Sequence, residues 1–179
     1  NTVKAEMKNI LIIGAGAIGR GYLPWIFDLN EYQFTFIDKN LEIIEKMNSA
    51  KKFKIYRVNN DLYDELDVKV SNAYTPENFK IQVNIDLIWE AVFVCVGPRA
   101  VVQIANLLKS IDAPIILCEN DPHSVDILKE QLPQNRQVVF AIPDVITSNS
   151  APEFLLKNDQ LSVVTERGEI FVDERVSFL

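Results

Sequence analysis

The stretch from Asn9 to Asp38 constrains this chain more than any other. The apolar run Ile10-Leu11-Ile12-Ile13 feeds directly into Gly14-Ala15-Gly16-Ala17-Ile18-Gly19, and a second run, Phe34-Thr35-Phe36-Ile37, ends in Asp38. Four continuous apolar residues read as a strand covered on both faces, and the residues from Ala17 onward read as a helix. Three glycines at this spacing are weak evidence alone, so the strand before them and the helix after them carry the inference. Gly14 permits a tight turn, Gly16 lets a ligand approach the backbone, and Gly19 lets the helix pack closely on its strand. The amides around Ala17 and Ile18 at the helix start are then available to the phosphates of a dinucleotide.

Asp38 follows Gly19 by about the 20 residues expected of an acid that accepts hydrogen bonds from the adenosine ribose. A carboxylate there repels a 2′-phosphate, so the expected cofactor is NAD rather than NADP. Lys39, next to it, is a cation that could accommodate some phosphate, and it is counted with the site. The plainer reading, a tight strand-to-helix turn followed by a solvated acid, leaves the register of strand, glycines, helix and acid to coincidence.

Composition narrows the field of partners. The chain has 179 residues, 48% of them hydrophobic and 24% charged, with a net charge of −7. That is ordinary for a globular protein, and the negative balance argues against nucleic acid, which needs clustered Lys and Arg. No run approaches the roughly 18 apolar residues that would span a bilayer, and no secretory leader is recognisable, so a cytoplasmic location and no membrane association are expected. Cys95 and Cys118 each lie in an apolar run and are expected to be reduced core thiols without a metal.

Along the chain, strands alternate with helices. A first helix is expected from Ala17 to Leu29, kinked at Pro24. Asn40 caps a second, whose apolar face is Leu41, Ile44 and Met47. Phe53 to Val58 and Val68 to Val70, separated by Asn59-Asn60-Asp61, read as a short β excursion before the sheet resumes. Trp89 to Val96 is a further strand, followed by Gly97 and by Pro98 at a helix start, with Val101, Ala105 and Leu108 on the buried stripe. In a doubly wound sheet Val96 and Gly97 face the cofactor; an ordinary strand-to-helix turn accounts for them equally well. Pro114 to Cys118 is a strand leading to Glu119 and Asn120, and Asp121-Pro122 opens a helix with Val125, Leu128 and Leu132 inward. His123, the single histidine, reads as an exposed first-turn residue rather than a general base. Gln137 to Ile142 is the last alternating strand. Leu161 to Thr165 and Glu169 to Asp173 read as strands about Arg167-Gly168. The expected fold class is α/β, a doubly wound Rossmann-type sheet, mostly parallel, with a C-terminal β-hairpin extension.

Gly14 to Gly21 with Tyr22-Leu23-Pro24, Val96-Gly97-Pro98, Cys118-Glu119-Asn120, Pro143-Asp144-Val145-Ile146 and Leu161 to Glu166 together resemble the mannitol dehydrogenase family of polyol-specific long-chain dehydrogenases. That family includes mannitol-1-phosphate 5-dehydrogenases and mannitol 2-dehydrogenases. The resemblance spans nearly the whole chain. It implies an NAD-binding domain over residues 1–150 and a β extension over 151–179 leading to a helical domain absent from this chain, docked through an apolar face. Substrate, a polyol or sugar phosphate, would bind between the domains, and the family's catalytic lysine, with an asparagine and a histidine, belongs to the helical one. Two residues carry over in supporting catalytic roles. Asn120 matches the asparagine ending the fifth strand, beside the cofactor and the developing alkoxide, and Asp144 matches the acid after the sixth strand. Glu119 and Asp121-Pro122-His123 depart from the family's wording, which leaves the substrate open.

Hydride transfer needs a base for the hydroxyl proton and donors for the oxyanion. No lysine here stands in an apolar setting that would lower its pKa, so the chain alone is expected to bind cofactor without turnover. The alternatives are a free-standing NAD(H) sensor or a subunit awaiting a partner. Another adenosine ligand, such as S-adenosylmethionine, would use Asp38 but leave the glycines underused.

Overall fold

A computed structural model describes residues 6–82, 87–119, 121, 123–147, 152–153 and 159–172. In chain order the elements are β1 (Lys8–Ile13), α1 (Ala17–Gly21), a 3-10 turn (Leu23–Ile26), β2 (Tyr32–Ile37), α2 (Leu41–Ala50), β3 (Lys52–Asn59) and β4 (Leu62–Tyr74). They continue as α3 (Pro76–Gln82), β5 (Trp89–Val94), α4 (Pro98–Leu108), β6 (Ile115–Cys118), α5 (His123–Gln131), β7 (Val138–Asp144), β8 (Val164–Thr165) and β9 (Glu169–Val172).

The strands form one sheet in the order β8-β3-β4-β2-β1-β5-β6-β7-β9. Its middle, β4-β2-β1-β5-β6-β7, is parallel throughout, and the helical connections between β1 and β2, β4 and β5, β5 and β6, and β6 and β7 are the crossovers that parallel neighbours require. Successive residues on β1 serve opposite faces. Ile10 and Ile12 join Phe34, Phe36, Phe93, Tyr22, Leu23 and Met47 in one core cluster; Leu11 and Ile13 join Val92, Val94, Val101, Ala105, Leu108 and Leu128 in the other. Two buried faces explain why the central strands are continuously apolar in sequence. The doubly wound architecture expected from the sequence is present.

Several local expectations change. The helix expected over Ala17 to Leu29 is cut to five residues, and Pro24 stands in the first turn of the separate 3-10 segment, where its missing N–H removes nothing. Asn40 does cap α2, its side chain accepting from Glu42 N at 3.1 Å and Ile43 N at 3.4 Å, but Leu41 is 54% exposed and only Ile44 and Met47 are buried. Residues 53–70 are no excursion. β3 and β4 form an antiparallel hairpin turning at Asn60, whose φ is 55°, and the far end of the 13-residue β4 is itself the third parallel strand, beside β2. A strand this long can do both because its two ends pair with different neighbours.

The two C-terminal strands flank Arg167-Gly168, and each docks on the main sheet. β8 runs parallel to β3 and also bridges Thr147 through Thr165; β9 runs antiparallel to β7. The last segment thus ties one edge of the sheet to the other and curls it. Gly168 makes this possible, since a Cβ there would lie 2.4 Å from Val145 Cβ and 2.6 Å from the Asp144 carbonyl oxygen.

Among the described residues no helix is long and apolar enough to cross a membrane.

Candidate nucleotide site

Strand order reverses at β1, with β2 on one side and β5 on the other. In an open α/β sheet the crevice outside the carboxyl ends of the strands at this point is where ligands bind. The glycine loop lies there. Gly14 has φ of +100°, and a Cβ on it would stand 2.4 Å from the Cys95 carbonyl oxygen and 3.1 Å from Val96 Cγ1. Its N–H donates to Ile37 O at 2.8 Å, and Cys95 N donates to Ile13 O at 2.7 Å. The ends of β1, β2 and β5 are stitched together at one glycine that no side chain could replace. Gly19 is equally confined, with a virtual Cβ 1.9 Å from the Gly14 carbonyl oxygen, so helix and strand meet without a spacer. Gly16 is the opposite case: it is exposed and a Cβ on it would meet nothing within 4 Å. Three glycines in one motif therefore do three things, and only Gly16 opens onto free space.

Ala15, between them, is held at both ends. Asp38 Oδ2 accepts its N–H at 2.8 Å, and Arg20 Nη1 donates to its carbonyl at 2.8 Å. Asp38 Oδ1 accepts the Asn40 N–H at 2.8 Å, so the same carboxylate orders the start of α2. A carboxylate offers about four lone-pair sites. With two used, Asp38 keeps acceptor capacity for hydroxyl donors. Lys39 is exposed and takes part in no ion pair among the described residues. Ala17 and Ile18 are half-buried on α1. Because α1 is only five residues long, its macrodipole is small, and individual loop amides matter more than the helix.

Val96 is half-buried against the α3–α4 face, and Gly97 is exposed at the N-cap of α4. The structure brings Val96 against Gly14; Gly97 lies one residue further out. Cys95 and Cys118 follow on from the paired residues Val94 and Leu117, so their thiols meet across β5 and β6. The Cys95 thiol is held well above its usual pKa, first by its hydrogen bond with Cys118 and then by burial. Both cysteines are free, as expected. Asn120 lies outside the described residues, as does Pro122. Asp144 is exposed at the end of β7, directly opposite Glu169 of β9. His123 is exposed at the start of α5, where its N–H donates to Asp121 Oδ1 at 3.0 Å.

Sequence reasoning missed three residues at this site. Arg20 is only 5% exposed, and among the described residues its Nε has no partner and no carboxylate forms an ion pair with it. Burial pulls its pKa down, while Asp38 and then Asp159 pull it back up. Gly21 is a seat for Val163, whose Cγ1 would be 2.3 Å from a Cβ there. Asp159 accepts from Lys54 N and Leu161 N, fastening the segment that carries Val163 to β3. Arg20 and Gly21 stand in the quoted motif, but nothing local shows that an arginine four residues past Gly16 points inward.

A crossover sheet with a confined and an open glycine at its reversal point, and an acid at the end of β2, defines a dinucleotide-binding domain of the dehydrogenase kind. A family model described as mannitol dehydrogenase Rossmann domain matches residues 8–175, and the chain belongs to that family. It is 28% identical over 138 residues to the mannitol-1-phosphate 5-dehydrogenase of Caldanaerobacter subterraneus subsp. tengcongensis, covering 70% of this chain and 35% of that one. To the enzyme of the same name from Oceanobacillus iheyensis it is 26% identical over 178 residues, covering 85% and 44%. The chain thus spans about a third to under a half of the length of these curated relatives. Among solved structures, octopine dehydrogenase with NADH and L-arginine shares the fold at a TM-score of 0.66 with 10% identity, covering 92% of this chain and 42% of that one. D-mandelate dehydrogenase with NADH and anilino(oxo)acetate does so at 0.64 with 15% identity, covering 92% and 47%.

Proposed function

We propose that the protein is an NAD-dependent dehydrogenase of a polyol or polyol phosphate, mannitol 1-phosphate being the first candidate, and that this chain is its cofactor-binding part. The observation that carries the reading is Asp38, which ends β2, touches the glycine loop and retains acceptor capacity for two ribose hydroxyls. The residues fit the cofactor: Gly16 leaves open space where a pyrophosphate must pass, and Gly14 and Gly19 hold that space open by close backbone contact. Bound NAD supplies a nicotinamide that takes a hydride from the carbinol carbon, leaving the hydroxyl proton for a base.

On this reading Gly14, Gly16, Ala17, Ile18 and Gly19 receive the pyrophosphate, Asp38 the adenosine ribose, and Val96 and Gly97 flank the nicotinamide half. Lys39 sets how much NADP is tolerated. Asn120 supports the alkoxide beside the cofactor and Asp144 the polar network around it, while the base, a lysine by resemblance, comes from a helical domain. An apolar face is available to such a domain. Ile142, 36% exposed, is paired directly with Phe171, 56% exposed, across β7 and β9, at an edge of the sheet. The relatives are longer than this chain, which supports a further domain in the complete protein.

The test is to titrate this chain with NADH and NADPH, following quenching of protein fluorescence, and then to follow NADH formation by the full-length protein, helical domain included, with mannitol 1-phosphate, mannitol and other polyols. Tighter binding of NADH and turnover of one polyol class are expected. Binding of NADH with no polyol or polyol phosphate oxidised by the protein would favour the sensor alternative.

A further inference from the structure

We propose that Arg20 is a positioning residue of the cofactor loop: its guanidinium holds the Ala15 carbonyl inward and so aims the Gly16 N–H outward at the dinucleotide's pyrophosphate. The inference rests on the cofactor reading given above.

A buried guanidinium is costly unless paired, and Arg20 spends that cost on one neutral acceptor. It is 5% exposed and its Nη1 donates to Ala15 O at 2.8 Å; among the described residues its buried Nε has no partner and no carboxylate comes within 4.0 Å. Core packing does not need a cation here. A methionine would fill a similar volume without the desolvation penalty.

The peptide that Arg20 grips gives it a purpose. In a trans peptide the carbonyl of one residue and the N–H of the next point in opposite directions. With the Ala15 carbonyl drawn inward to buried Arg20, the Gly16 N–H points the opposite way, and Gly16 itself is exposed, with open space beside its Cα. Among the described residues nothing accepts from that N–H. The charge also polarises the same amide, which makes its N–H a stronger donor. On the preceding peptide, Asp38 fixes the Ala15 N–H, so the loop cannot rotate about either side of Ala15. Asp38 thus has two tasks, at the ribose and at the loop, whereas Arg20 has only the second.

That division sets the experiment. Affinities of the protein and its Arg20→Met and Arg20→Lys variants are measured by calorimetry for ADP-ribose, which carries the pyrophosphate, and for adenosine, which does not. Arg20→Met is expected to weaken ADP-ribose roughly tenfold, the worth of one hydrogen bond to a charged group, and to leave adenosine unchanged. Arg20→Lys, which keeps the charge and a donor, is expected to recover part of the loss. Equal losses for both ligands would show a merely structural arginine, and no loss for either would show an idle one; both overturn the proposal. Should Arg20→Met fail to fold by circular dichroism, Arg20→Lys decides alone, since its altered reach should lower ADP-ribose affinity selectively and an unchanged value refutes the role. Failure of the unsubstituted protein to bind ADP-ribose or NADH would overturn the cofactor reading as well.

Discussion

Asp38 Oδ2 accepts the Ala15 N–H at 2.8 Å, across 23 residues of sequence, so the acid that ends β2 is part of the glycine loop that follows β1. Replacing it should act on ligand choice and on stability together. Asp38→Ala is expected to weaken NADH about tenfold, to narrow its advantage over NADPH, and to lower stability by about 1–2 kcal/mol through the two orphaned backbone donors. Paired titrations with the two cofactors and a denaturant curve check this. An unchanged preference between them would remove Asp38 from the ribose site.

The glycines separate fold from function. Gly14→Ala places a Cβ 2.4 Å from the Cys95 carbonyl in a residue with φ of +100° and should cost about 3 kcal/mol or more in calorimetric unfolding. Gly16→Ala meets nothing and should leave stability within about 0.5 kcal/mol while reducing NADH affinity roughly tenfold. A Gly16→Ala protein that unfolds early but still binds would reverse the assignment of these two positions.

Gly21 and Val163 form a long-range pair that pins the C-terminal segment to α1. Gly21→Ala is expected to destabilise by about 1–3 kcal/mol, because the added methyl would lie 2.3 Å from Val163 Cγ1. Val163→Ala leaves a void and also destabilises. The double variant should cost less than the sum by about 1 kcal/mol, since each change makes room for the other. Strict additivity in a double-mutant cycle would mean that the segment simply shifts away.

The Cys95 thiol gives a pH dependence of defined sign. Its folded pKa lies above the unfolded one, so in alkali the unfolded chain loses a proton that the folded chain keeps. The contribution is complete below the unfolded value, about pH 8.5, and falls as pH rises past it. Unfolding curves from pH 7 to 10 should show declining stability, and Cys95→Ala should flatten that decline; an identical slope would sink the claim. The same shift predicts slow alkylation of Cys95 in the native protein at pH 8.

Much of this molecule was legible locally. Continuous apolar runs disclosed the central strands because each is buried on two faces, and Asn40, Gly97-Pro98 and Asp121 marked helix starts because capping depends on neighbours two or three residues away. What misled local reading was pairing at a distance. Residues 53–70 alternate like any hairpin, and only the β2 partner shows that β4 continues into the parallel sheet. Pro24 looked like a kink because the chain's departure from α1 after five residues is decided by packing of Leu23 and Phe27 under the sheet.

The sequence by itself determined the fold class, the register of the glycine loop and the acid at the end of β2, since period and spacing are properties of the chain. Tertiary structure alone decided that Arg20 is buried, that Gly21 seats Val163, and that the final strands join both edges of the sheet. These depend on which distant atoms share a volume, and a side chain's direction relative to such neighbours leaves no trace in local periodicity.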